Sequence, residues 1–432
     1  MTGPLSVRAA GRRFVGLTAL RWLPVGLSAP VTVLLASARG LSPADIGVVF
    51  AVYSTVVLLL ELPTGGLADA LGHRPVLVLA GLLTTAGLLL LTVADSTALF
   101  ALAWALKGVA RALDSGPLEA WYVDAVHAAD ADADVTPGLS RAGAADGAGL
   151  CLGAVLGGLL PLLADGTGDA VLVLPVLLAA ALSLVSVAAV AVLVVPVGTP
   201  RGSGVTALRA GVRAVPAVVR DTARLVSRDR LLRRVLAVSL LVGAVLTTLE
   251  LLGPLHVAEL TGSRTEGAAV FGVVMAVSYA AAGLGALLAP AVRRLARGSV
   301  AGATTGLAVL GSLAVATVTA AGPLALGGLF AVFHVANAAA WPLWKQVLHG
   351  RVGAGQRATA LSASSLALQV GALGGSLLVP RLAEAAGTGA GFLAAAGALL
   401  TVGLVSAGLR PRHSTAPDPG TPAATGVAAG HG

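Results

Sequence analysis

Lys107, Arg111, Asp114 and Glu119 interrupt one apolar stretch of the chain, and Arg21, Glu61, Glu250, His334 and Asn337 stand nearly alone in others. Charges in such surroundings are costly, about 2.5 to 3.5 kcal/mol each at a bilayer centre, so each needs a partner or a water-filled cavity. Opposite charges can pair: Arg111 and Asp114 are three residues apart on one helix, and Arg21 and Glu61 lie at similar depths in two apolar runs. A purely structural ion pair is the competing reading of both. An acid withdrawn from water, Glu250 above all, is placed to bind and release protons, with Asp114, Glu61 and Glu119 as further candidates. Lys107 is left to face a substrate, an anion or another acid. At 100° per residue, Lys107, Arg111, Asp114, Ser115 and Leu118 share one side of a continuous helix, with Trp104 and Tyr122 at its edge. That face is unsuited to lipid.

Enzyme templates are missing from the sequence. It holds no Gly-Lys-Ser/Thr nucleotide loop, no His-Glu-x-x-His and no nucleophile elbow, so the reading is of a non-enzyme that needs no cofactor and no metal. The single cysteine, Cys151, rules out an intramolecular disulfide. The net charge of +8 does not indicate nucleic acid, because the basic residues sit in particular loops without interleaved aromatics.

The elements that must hold these residues are membrane helices. Of 432 residues, 56% are hydrophobic and 11% charged, against about a quarter charged in soluble domains. Runs such as Val76 to Val93 are apolar on every face and long enough to cross the hydrocarbon of a bilayer, which excludes an alternating barrel. The expected architecture is an all-α membrane protein of twelve transmembrane helices in two six-helix pseudo-symmetric bundles. Residues 1–13 form a basic leader, 14–196 the first bundle, 197–234 a basic linker, 235–409 the second bundle and 410–432 a disordered tail. Span 4 is expected at 97–127. With both termini and the linker cytoplasmic, the arginines concentrate inside, and only Arg39, Arg264 and Arg381 fall outside. This places the chain in the cell (inner) membrane, surrounded by lipid and read as a monomer.

One short turn between spans 2 and 3 carries a signature. It reads Gly65-Gly66-Leu67-Ala68-Asp69-Ala70-Leu71-Gly72-His73-Arg74-Pro75, and it resembles the G-x-L-A-D-R-x-G-R-R/K motif of the major facilitator superfamily, with Ala70 and His73 where that motif has arginines. The resemblance implies that Gly65, Asp69, Gly72 and Arg74 form a conformational latch between the halves. Physical chemistry alone already lets Gly72 adopt a positive φ and Asp69 accept hydrogen bonds from a helix N-terminus or an arginine. Glu61-Leu62-Pro63-Thr64-Gly65 and Ser115-Gly116-Pro117-Leu118-Glu119-Ala120-Trp121 look like a branch of the superfamily that contains drug and metabolite exporters.

In span 5, Gly149, Gly153, Gly157 and Gly158 are similar to the glycine motif of proton-coupled drug antiporters, with Ala154 replacing its proline; a packing face is the plain alternative. The span 4 arginine of the family is Trp104 here, with Lys107 or Arg111 as substitutes. A related pattern, Gly371-Ala-Leu-Gly374-Gly375, recurs in span 11 and suggests internal duplication. Because helices 1, 4, 7 and 10 line the cavity in that family, Arg21, Arg111, Asp114, Glu250, His334 and Asn337 are expected to converge. The expectation is a secondary active transporter working by alternating access, exporting drug-like or amphipathic small molecules against protons. A proton symporter or facilitator for a polar metabolite is the alternative, and a non-transporting membrane sensor or enzyme the third reading.

Overall fold

The computed structural model describes residues 5–164, 168–197, 203–351 and 357–409, and the expected tail and linker residues 198–202 lie outside the described residues. The first bundle contains α1 (Val7–Ala38), α2 (Pro43–Thr64), the short α3 (Leu67–Leu71), α4 (His73–Val93), α5 (Thr97–Leu113), α6 (Pro117–Ala129), α7 (Thr136–Leu163) and α8 (Ala170–Leu193). The linker folds as α9 (Gly204–Arg228). The second bundle contains α10 (Arg230–Thr261), α11 (Arg264–Leu295), α12 (Val300–Thr317), α13 (Pro323–His349), α14 (Arg357–Ala386) and α15 (Thr388–Ala407). Among the described residues, 11 helices are long and apolar enough to cross a membrane.

The remaining crossing is split, which corrects the expectation of a continuous helix over 97–127. Gly116 takes a left-handed φ of 103°, and Pro117 then begins α6 at its first position. A glycine in that conformation ends a helix and a proline suits the start of the next. The single face drawn through Trp104, Arg111, Leu118 and Tyr122 is therefore divided. Tyr122 is buried and stacks on Phe14, with ring centroids 4.5 Å apart, inside the first bundle.

Two bounds also move. Ser6 caps α1, accepting from the Ala9 amide at 3.3 Å, so helix begins inside the stretch read as a leader. Asp229 caps α10 through the Leu231 amide at 2.7 Å, so α10 starts within the stretch read as linker. Each cap satisfies backbone donors that the first turn leaves open.

The halves repeat one packing plan. In the first, α1 lies along α7; in the second, α10 lies along α14. Glycines set both contacts. A methyl on Gly149 would stand 2.8 Å from the Ala19 carbonyl oxygen, and methyls on Gly153 and Gly157 would meet the Leu23 and Leu27 carbonyls one and two turns on. Gly371 and Gly375 pack in the same way against Leu240 and Ala244 of α10. Close backbone approach through small residues is how helices associate where burial from water offers little drive.

The bundles join along α7 with α11 and α2 with α14. Gly158 of α7 sits against Ala268 and Gly272 of α11. Away from the linker, one apolar core runs through both bundles and includes Leu34 and Leu35 of α1, Leu251 and Leu252 of α10 and Phe271 of α11. At the linker end there are two separate cores, one around Phe14, Trp121 and Val190, the other around Leu232, Ala339 and Trp344. The halves are thus welded at one end and packed independently at the other.

Candidate functional site between the bundles

Arg21 of α1 pairs with Asp114, which caps the C-terminus of α5 at the break. Both side chains keep some exposure, 19% and 29%. This replaces two expected pairings, Arg111 with Asp114 and Arg21 with Glu61. Asp114 still follows the α5 register, its amide bonded to the Ala110 carbonyl oxygen at 2.9 Å, and its carboxylate reaches across to α1. Glu61 instead accepts a hydrogen bond from Ser365 of α14 at 2.9 Å, a bond between the bundles.

Arg111, in the last turn of α5, is exposed and makes no hydrogen bond or ion pair among the described residues. It lies in electrostatic range of Arg21, Tyr53 and Asp146. Asp146 is the acid that sequence reasoning passed over. It also lies in range of Arg21, and its Oδ1 is buried without a hydrogen-bond partner. The available signal was plain, since Asp146 is the only acid of its span; the surrounding glycines drew the reading to packing instead. Two cations and two acids, from α1, α5, α7 and the α5–α6 break, form one cluster on the first bundle.

Across from it stands Glu250, about two-thirds of the way along α10. Its neighbours Leu249 and Leu251 are buried while Glu250 itself is exposed. Tyr53 of α2 lies in electrostatic range of both Arg111 and Glu250, and Tyr279 of α11 of both Glu250 and Asp146. A carboxylate sensed from both bundles faces the gap between them and not lipid. An intramembrane charge needs a partner or a water-filled cavity, and the gap between the bundles is where Glu250 can meet one.

The remaining candidates are dispersed. The Lys107 ammonium lies 4.1 Å from the centroid of the Trp104 ring, a cation–π contact within its own helix. Trp104 in turn packs on Phe50 and, edge-on, on Tyr53. His334 donates from Nδ1 to the Phe330 carbonyl oxygen at 2.8 Å and packs edge-on to Phe333, so one ring nitrogen is used by its own helix. Asn337 is half-buried one turn further along α13, and Glu119 is exposed in the first turn of α6.

The Gly65–Arg74 turn lies at the linker end. Gly72 has φ 89°, and α3 places Asp69 on its exposed side. Asp69, His73, Arg74, Asp124 and His127 line a cavity of about 990 Å³ beside α6, outside the gap between the bundles. His73 Nε2 stands 3.7 Å from Asp124 Oδ2, joining this turn to the end of α6.

Two six-helix bundles enclosing a charged gap, welded at one end, define a multi-pass membrane protein with the fold of a transporter. Residues 14–333 match the Major Facilitator Superfamily, and the chain belongs to that family. Solved structures agree on the fold. The nucleoside transporter NupG is similar at TM-score 0.73 and 14% identity, covering 93% of this chain and 98% of that one. The peptide transporter POT in complex with sulfate gives TM-score 0.68 and 15% identity over 92% and 93%. The human organic anion transporter MFSD10 (TETRAN) gives 0.60 and 18% over 92% and 99%. Comparison with curated proteins returns no match.

Proposed function

We propose that this chain is a proton-coupled secondary transporter that exports small amphipathic molecules by alternating access. The observation that carries the reading is Glu250, an exposed carboxylate within its membrane span, opposite the Arg21–Asp114–Arg111–Asp146 cluster. A carboxyl group in that position binds a proton when reached from one side and releases it when reached from the other. Tyr53, Trp104 and Tyr279 supply aromatic surface for an apolar body, while Arg111 is left to meet a polar or anionic group of the cargo.

In this reading the linker end is cytoplasmic, as the arginine asymmetry between loops favours, and both termini lie there in the cell (inner) membrane. The bundles rock about the gap, and the Gly65–Arg74 turn with Asp69 acts as the latch that holds the cytoplasmic side when it closes. The monomer is the working unit. The ELPTG and SGPLEAW stretches support the exporter branch.

The four charges of the cluster favour a second reading, symport of a polar metabolite. Everted vesicles carrying the protein distinguish the two. With a pre-formed inside-acid gradient, an export substrate drains the gradient on addition; a symported metabolite moves protons only with its own outward flow. If no compound in a growth screen of an exporter-deficient strain moves protons in either sense, the proton-coupled reading fails.

A further inference from the structure

The linker helix α9 carries two stripes that are exposed among the described residues. Taking 100° per residue, Arg209, Arg213, Arg220 and Arg224 fall within a sector of about 60°, and all four are exposed. A second sector of about 60° holds Val205, Leu208, Val212 and Val219, which are 59%, 39%, 54% and 53% exposed. The third side is docked on the protein. A methyl on Gly204 would lie 2.9 Å from Leu71 of α3, and one on Gly211 would meet the Pro63 carbonyl of α2.

Position fixes what the two stripes can reach. Only Asp229 separates the end of α9 from the start of the membrane-spanning α10, and Pro63 lies in the last turn of α2. The helix therefore has no slack to leave the level of the bilayer surface. We propose that α9 seats on the anionic headgroups of that surface, with Arg209 and Arg213 on lipid phosphates and the valine–leucine stripe at the acyl boundary. A basic stripe beside an apolar one is the pattern of a helix lying in the interface. Nucleic acid would leave the aliphatic stripe in water. A second copy of the chain, related by a two-fold axis, would set the arginine stripes against each other. Because the docked side touches Pro63 and Leu71, lipid binding also braces the turn that contains Asp69.

The test uses the full chain with Cys151→Ser and a spin label on Val212→Cys, or separately on Val219→Cys. Each is reconstituted in phosphatidylcholine vesicles and in vesicles with phosphatidylglycerol added, and label collision with oxygen and with a water-soluble nickel chelate is measured. The expected result is loss of nickel accessibility and gain of oxygen accessibility when phosphatidylglycerol is present, cancelled by Arg209→Gln with Arg213→Gln. Nickel accessibility that stays high in both vesicles overturns the proposal, and so does equal burial in both. Burial that follows protein density and not lipid charge assigns the face to a second copy and also overturns it.

Discussion

Arg21 on α1 and Asp114 at the α5–α6 break form an ion pair that ties the first helix of the bundle to the point where the fourth crossing changes direction. Removing one partner leaves the other charged in a poorly solvated site, so Asp114→Asn is expected to cost about 1 to 3 kcal/mol. Arg21→Gln should cost a similar amount. The double variant should lose less than the sum, because the stranded charge is gone. Thermal unfolding of the four proteins in one detergent gives the comparison, and additive losses would show that the pair contributes nothing.

Much of this arrangement was legible in the sequence, for identifiable reasons. Apolar runs fix spans because every backbone group in lipid must bond within its own helix, and eleven crossings follow directly from length and composition. The break at Gly116–Pro117 was also written in residue types, a left-handed glycine before a helix-starting proline, but a hydropathy window averages over it. The pairings were not legible. Helical spacing favours Arg111 with Asp114, and depth favours Arg21 with Glu61. Both rules fail because partners on other helices decide: the Asp114 carboxylate meets Arg21 of α1, and Glu61 Oε1 accepts from Ser365 of the other bundle.

Glu250 bears the proton in the proposed cycle, which separates two transport assays. Glu250→Gln should abolish uptake driven by a pH gradient and flatten its pH profile. Exchange of labelled for unlabelled substrate across the membrane, which needs only the rocking of a loaded carrier, should persist within about threefold. Retention of gradient-driven uptake in the variant would move the proton to Asp146 or Asp114.

Asp69 stands at the turn between α2 and α4, exposed and away from the charged gap. If it latches the linker-end surface, Asp69→Asn should slow transport about tenfold or more while substrate affinity and membrane insertion stay unchanged. Binding measured by calorimetry beside initial rates checks this; wild-type turnover removes the latch.

Gly153 and Gly143 share a helix but not an environment. A methyl on Gly153 would come 2.7 Å from the Leu27 amide nitrogen and closer still to the Leu23 carbonyl, whereas around Gly143 nothing lies within 4 Å. Gly153→Ala should therefore force α1 from α7 at about 1 to 3 kcal/mol. Gly143→Ala should be neutral or raise the melting temperature slightly, since alanine is the better helix former by about 0.8 to 1 kcal/mol. A matching loss at both sites would show that the close approach does not matter.

At the end of the bundles away from the linker, Arg39 donates to the Leu91, Ala94 and Thr92 carbonyl oxygens at 2.9, 2.7 and 2.8 Å, and through Nε to Asp169 at 2.9 Å. It thus closes the carbonyl end of α4 and ties α1 to the start of α8. Arg39→Gln should lower stability by about 2 to 3 kcal/mol, as charge-assisted bonds to buried carbonyls do. The bond from Arg39 holds the Asp169 carboxyl below the ordinary aspartate value. A carboxyl with a depressed folded pKa contributes stability above its unfolded value, about 4, and loses it as pH falls through the lower folded value. Asp169 is 44% exposed, so solvent screens this part and keeps it small. The melting-temperature gap between wild type and Arg39→Gln should therefore narrow slightly below about pH 4 without closing, because the three carbonyl bonds do not titrate. A gap that vanishes in acid would mean that Asp169, and not the end of α4, is what Arg39 serves.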